Sequence, residues 1–97
     1  MLTPKLTNAT IKRAVRDYII GGARKQRVVT KYGDISNWDV SNVKDMYYMF
    51  NTARSFNQPL NNWNVSKVTD MNWMFEDADS FNQPLHAPWY HEESESE

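Results

Sequence analysis

Apolar residues in the N-terminal third of the chain recur with the period of a helix. The positions are Ile11, Ala14, Val15, Tyr18 and Ile19. Their spacing predicts an amphipathic helix that Thr7 or Asn8 caps and that Gly21-Gly22 ends. Val28-Val29 predicts a short strand, and Gly33 follows it.

A 23-residue pattern occurs twice after Gly33. Residues 38–60 read WDVSNVKDMYYMFNTARSFNQPL, and residues 63–85 read WNVSKVTDMNWMFEDADSFNQPL. Fifteen of the 23 positions are identical at a shift of 25 residues. The chain is therefore an internal repeat, in which each copy needs a neighbour to complete its core.

The apolar positions within each copy predict its local structure. Met46, Met49, Phe50 and Ala53 have helical spacing, as do their equivalents in the second copy, so we expect short helices over 46–53 and 71–78. Short strands are expected over 40–44 and 65–69. Asp45 and Asp70 precede the two helices, where they either cap them or form a carboxylate pair for acid–base or metal chemistry.

The small net charge of −1 conceals a division along the chain. Residues 1–32 carry eight Lys and Arg against Asp17 alone, a net charge of +7. Residues 33–85 and 86–97 carry −4 each. We assign 1–32 to an N-terminal helical cap, 33–88 to the repeats (copies 38–62 and 63–87) and 89–97 to an acidic, disordered tail.

The composition excludes several classes of function. The chain has no Cys, so it has neither disulfides nor thiolate chemistry. It lacks an apolar run that could span a membrane, and its first residues do not predict a signal peptide. His86 and His91 give only a weak metal signal. We expect no catalytic site, no cofactor and no metal, and therefore not an enzyme.

Two groups of residues are candidates for partner binding. Tyr47, Tyr48 and Trp73 differ between the copies, so they are expected to form an exposed recognition stripe. The alternative is that Tyr48 and Trp73 fill the gap between helix and coil. Arg24, Lys25 and Arg27 form a basic cluster, which is a solvated surface, a site for acidic residues of another copy, or a site for nucleic acid or an anionic surface. The last reading is the least favoured. The candidates for partner binding are Tyr47, Tyr48, Trp73, Arg24, Lys25, Arg27 and Trp89.

The units WDVSNVKDMYYMF…SFNQPL and WNVSKVTDMNWMFEDADSFNQPL resemble the BspA-like repeat, a leucine-rich-repeat-like unit of about 25 residues, over roughly residues 33–85. Such repeats are found in mycoplasma lipoproteins, bacterial surface proteins, protists and some large viruses. The resemblance implies a solenoid with surface, adhesive or protein-binding roles and no catalytic residue. It implies a cell-surface, secreted or virion location, and the compartment stays open.

These observations predict an α+β repeat protein: a short right-handed leucine-rich-repeat-like solenoid with an N-terminal capping helix. The predicted function is a non-enzymatic protein-binding or assembly module that associates end to end with itself or binds a partner on a surface. The alternative is a monomeric recognition or adhesion module for a host protein or a glycan, or a virion structural component.

Overall fold

The computed structural model describes residues 3–60 and 62–81. Helix α1 spans Asn8–Ile20, helix α2 spans Gly22–Tyr32, and a 3₁₀ turn spans Ile35–Asn37. The two repeat copies follow these elements. The predicted acidic tail and Trp89 lie outside the described residues.

Helix α1 has the start and end that the sequence predicts. The Thr7 side chain accepts a hydrogen bond from the Ala9 N–H, and the Thr10 hydroxyl accepts one from the Thr7 N–H, which completes a capping box. Leu6 and Ile11, on either side of the cap, are both fully buried. Gly21 ends the helix at φ +86°, a conformation that favours glycine.

Helix α2 replaces the strand predicted at Val28-Val29, so that prediction was wrong. Ala, Arg, Lys and Gln favour helix before these valines, and Val28 and Tyr32 stand four residues apart and are both buried. Helices α1 and α2 pack against each other, with Gly21 alone between them. The single predicted capping helix is therefore a pair.

Neither repeat copy contains the helix or strand expected of it in the described residues. Residues 47–52 and 72–77 are tight turns, and short turns also occupy the predicted strands. Tyr48, Thr52, Trp73 and Asp77 have φ between 57° and 61°. Left-handed residues four positions apart interrupt both a right-handed helix and an extended strand, so the helical spacing of the methionines was misleading.

The two copies lie side by side, and backbone hydrogen bonds join them. The N–H groups of Met46, Tyr48, Phe50 and Thr52 each donate to a carbonyl oxygen 24 residues further along the chain, at 2.7–3.1 Å. In the opposite direction, the Thr69 N–H donates to the Lys44 carbonyl oxygen at 2.7 Å. Equivalent stretches of the two copies are therefore aligned with each other in space.

The α+β leucine-rich-repeat solenoid is wrong as a description of this fold. Residues 3–60 and 62–81 contain two α-helices and one 3₁₀ turn but no strand and no sheet, and their only β-type pairing is an isolated parallel bridge between Asp45 and Asp70. The positive-φ turns explain the difference, because they break each run of backbone before a ladder can extend.

Stacked aromatic rings form much of the core. Rings pair with their equivalents in the other copy, Trp38 with Trp63 at 6.4 Å and Phe50 with Phe75 at 5.4 Å between centroids. Tyr18 of α1 and Tyr32 of α2 each contact Trp38, both at 5.9 Å. The helices and the copies therefore share one core.

Candidate partner-binding surface

Tyr47, Tyr48 and Trp73 lie together on the surface, and we call them the aromatic patch. Their exposed fractions are 36%, 43% and 56%. Tyr48 lies between the other two, with its ring centroid 4.4 Å from that of Tyr47 and 6.2 Å from that of Trp73. Of the two sequence readings, the structure matches the exposed stripe, and it spans both copies.

The backbone turns the side chains of the aromatic patch outward at a cost. Tyr48 and Trp73 occupy equivalent positions, with φ of 57° and 61°. Large aromatic residues are rare in this left-handed region, where Gly or Asn is less strained. The turn requires this backbone conformation, but it does not require an aromatic side chain at the position. The aromatic rings at Tyr48 and Trp73 are exposed on the surface instead of filling the core.

Charged groups border the aromatic patch. The Lys12 ammonium lies 5.7 Å from the Tyr47 ring centroid and 3.8 Å from Asp45 Oδ2. The pKa of the Tyr48 phenol is raised. The largest cause is partial burial, followed by the neighbouring Tyr47 and by the Glu76 carboxylate. The patch thus has one cation beside Tyr47 and one carboxylate near Tyr48.

Arg24, Lys25 and Arg27 lie on helix α2 and are exposed. Arg24 approaches Asp17 at 4.0 Å, and the Lys25 ammonium lies 4.6 Å from the Tyr18 ring centroid. Within the described residues, no ion pair or ring contact connects this basic cluster with the aromatic patch. The sequence candidates therefore form two separate surfaces.

Between helices α1 and α2 lies an open groove of about 280 Å³, which we call the interhelical groove. Its apolar lining includes Ala14 and Val28, and Arg27 is the one member of the basic cluster that contributes to it. Arg13 and Lys31 add two further cations, and Asp17 adds one carboxylate. This groove was missed in the sequence because α2 was not predicted.

Asp45 and Asp70 both serve their own turns. Each carboxylate accepts a backbone N–H two residues ahead, that of Tyr47 at 2.9 Å and that of Asn72 at 3.0 Å. Their expected acceptance of backbone N–H groups is thus present, although the helices that they were expected to cap are not. Their backbones pair in the isolated bridge.

Asn8 connects α1 to the first copy, a role that the sequence analysis did not assign. Its Oδ1 accepts the N–H groups of Lys44 and Asp45, at 2.8 and 3.2 Å. In the second copy the Lys44 carbonyl oxygen accepts the equivalent N–H, that of Thr69. The Asn8 side chain therefore takes the place of a preceding repeat.

No helix in residues 3–60 and 62–81 is long and apolar enough to cross a membrane.

Residues 26–96, nearly three quarters of the chain, match the family described as "Mycoplasma protein of unknown function, DUF285". The chain belongs to the DUF285 family. Comparisons with curated proteins and with solved structures gave no match.

The DUF285 match includes both repeat copies and the whole aromatic patch. It begins within α2, so α1 lies before the matched segment. Arg27 and Lys31 fall inside it, whereas Arg13, across the interhelical groove, falls outside. The family description leaves the function of these DUF285 surfaces open.

Proposed function

We propose that this DUF285 protein is a non-enzymatic protein-binding module that binds its partner through the aromatic patch. The observation that supports the proposal is the exposure of Tyr47, Tyr48 and Trp73 in one contiguous row across both copies. Exposed Tyr and Trp side chains supply much of the energy of many protein interfaces, because each buries a large area at a small entropic cost.

The backbone of the aromatic patch adds a second argument. Strained conformations persist where the surrounding structure holds them, and they cluster at functional sites. Here the register between the copies holds Tyr48, since its N–H donates to the Asn72 carbonyl oxygen at 3.1 Å. The rings are therefore positioned before a partner arrives, which reduces the entropic cost of binding.

The resemblance to BspA-like repeats favours the same kind of role. That resemblance implies adhesive or protein-binding surface proteins. The repeat sequence and the aromatic patch therefore both favour protein binding. A glycan is the other candidate ligand, since aromatic rings also stack on sugars.

Selection of ligands from a displayed random-peptide library tests the proposal. We expect the wild-type chain to enrich peptides that bind Tyr47→Ala/Tyr48→Ala/Trp73→Ala at least about tenfold more weakly. Ile19→Ala/Ile20→Ala is the matched control, because it removes two other exposed apolar side chains and should leave peptide binding unchanged.

Two results would overturn the proposal. The first is a set of peptides that bind the triple variant as well as they bind the wild type. The second is a glycan array on which the wild type binds sugars through the patch while the peptide library enriches nothing. Circular dichroism of each variant establishes that its fold is retained.

A further inference from the structure

The interhelical groove combines an apolar lining with an edge that carries three cations and one carboxylate, that of Asp17. Within the described residues, Arg13, Arg27 and Lys31 form no ion pair with any carboxylate. Lys31 lies 5.3 Å from the Tyr32 ring centroid, so its ammonium already lies near one aromatic ring of the groove. Such a groove suits a ligand that pairs an aromatic side chain with negative charge.

The outer end of the aromatic patch has that chemistry. Trp73 is its most exposed member, and the exposed carboxylates of Glu76 and Asp77 follow it within four residues. Neither carboxylate forms an ion pair among the residues that the structure describes. The cationic groove and the acidic aromatic end are complementary, yet described contacts join Trp73 to Tyr48 and not to the groove.

We infer that Trp73 of one copy of the chain docks into the interhelical groove of a second copy. The indole ring fills the apolar lining, while Glu76 and Asp77 face Arg13, Arg27 and Lys31. This inference rests on the proposed function, because it uses the aromatic patch, and it specifies the partner as another copy of the chain.

This contact joins two different surfaces, so it is heterologous. The bound pair still presents one free groove and one free patch, one on each copy, and association continues as a ring or an open chain of copies. Because charge complementarity contributes to the contact, association weakens as the salt concentration rises.

Sedimentation velocity across protein and salt concentrations tests the inference. We expect the wild type to form species larger than a monomer at low salt, and Trp73→Ala or Arg27→Glu/Lys31→Glu to weaken association at least about tenfold. Ile20→Ala controls for the loss of an exposed apolar side chain. Lys67→Glu controls for charge reversal, since Lys67 contacts Asn42 and lies outside the groove.

Mixing the two defective variants gives the sharper result. Trp73→Ala keeps an intact groove, and Arg27→Glu/Lys31→Glu keeps an intact patch, so the mixture should form a 1:1 complex that grows no further. A symmetric patch-to-patch contact would instead leave the groove variant self-associating, which overturns the inference.

Other outcomes also decide the question. A wild type that stays monomeric at low salt overturns the inference, even if it binds a single-stranded oligonucleotide through the groove. If patch-dependent peptides are still selected in that case, the proposed function stands and only the choice of a second copy as partner fails. If the peptides bind independently of the patch, the proposed function fails as well.

Discussion

At the scale of single residues, the two copies contain a matched pair of turns that differ by one ionisable group. Asp39 accepts hydrogen bonds from the side chain and backbone of Ser41, and these bonds lower the pKa of its carboxyl group. Asn64 occupies the equivalent position and accepts the Ser66 N–H at 3.1 Å. The amide therefore makes the same backbone contact without a titrating proton.

This pair predicts an effect of pH on stability. Because the pKa of Asp39 is lower in the folded chain, the unfolded chain binds the proton first, and the stabilisation is lost as the pH falls through the folded pKa. We expect Asp39→Asn to reduce the acid-side decline in the free energy of unfolding, measured by urea denaturation from neutral pH downward.

The reverse substitution is the control. Asn64→Asp places a carboxylate beside Ser66 and should steepen the acid-side decline. If the free energy of unfolding depends on pH in the same way in the wild type and both variants, these hydrogen bonds do not stabilise the charged carboxylate over the neutral carboxyl group.

At the scale of elements, Asn8 makes α1 the cap of the first copy. Asn8→Ala removes the acceptor of two backbone N–H groups. Water replaces part of this contact because the site is exposed, so we expect a loss of about 1 kcal/mol in the free energy of unfolding. Asn8→Asp retains a side-chain oxygen and should lose less, and an equal loss in both variants in urea denaturation would contradict this role.

The sequence was sufficient to predict α1 but not α2. In α1 the apolar period, the Thr7 cap and Gly21 all indicate the same element. In α2 the adjacent valines suggested a strand, although the residues before them favour helix and Val28 and Tyr32 are buried one turn apart. Contact with α1 decided between these two local preferences.

The turns of the repeat could not be predicted from residue type. Nothing about Tyr48 or Thr52 favours positive φ, so the spacing of the methionines suggested a helix instead. The exposed positions were easier to predict from the sequence. Positions that differ between the copies were expected to face outward, and Tyr47, Tyr48 and Trp73 are indeed exposed. The interhelical groove depends on α2 and was missed with it.

At the scale of the whole molecule, Trp38 joins the helices to the repeats. Its ring contacts Tyr18, Tyr32 and Trp63, and its indole N–H donates to the Gly33 carbonyl oxygen at 2.8 Å. We expect Trp38→Ala to lower the free energy of unfolding by about 3–5 kcal/mol. Helical and aromatic circular dichroism signals should be lost together on heating.

The control for this variant is Trp73→Ala, which removes an exposed indole and should change stability by only about 0.5 kcal/mol. A helical signal that survives after the aromatic signal has gone would mean that α1 and α2 fold independently of the copies.

The backbone hydrogen bonds between the copies, which join residues 24 to 26 positions apart, also limit how such a chain can change in length. Inserting one residue into a copy would move Phe75 and the atoms that pair with the first copy out of alignment. Duplicating a whole 25-residue unit would preserve every pairing. We therefore expect related genes to differ in length by whole multiples of 25 codons, with smaller insertions confined to the junction between copies.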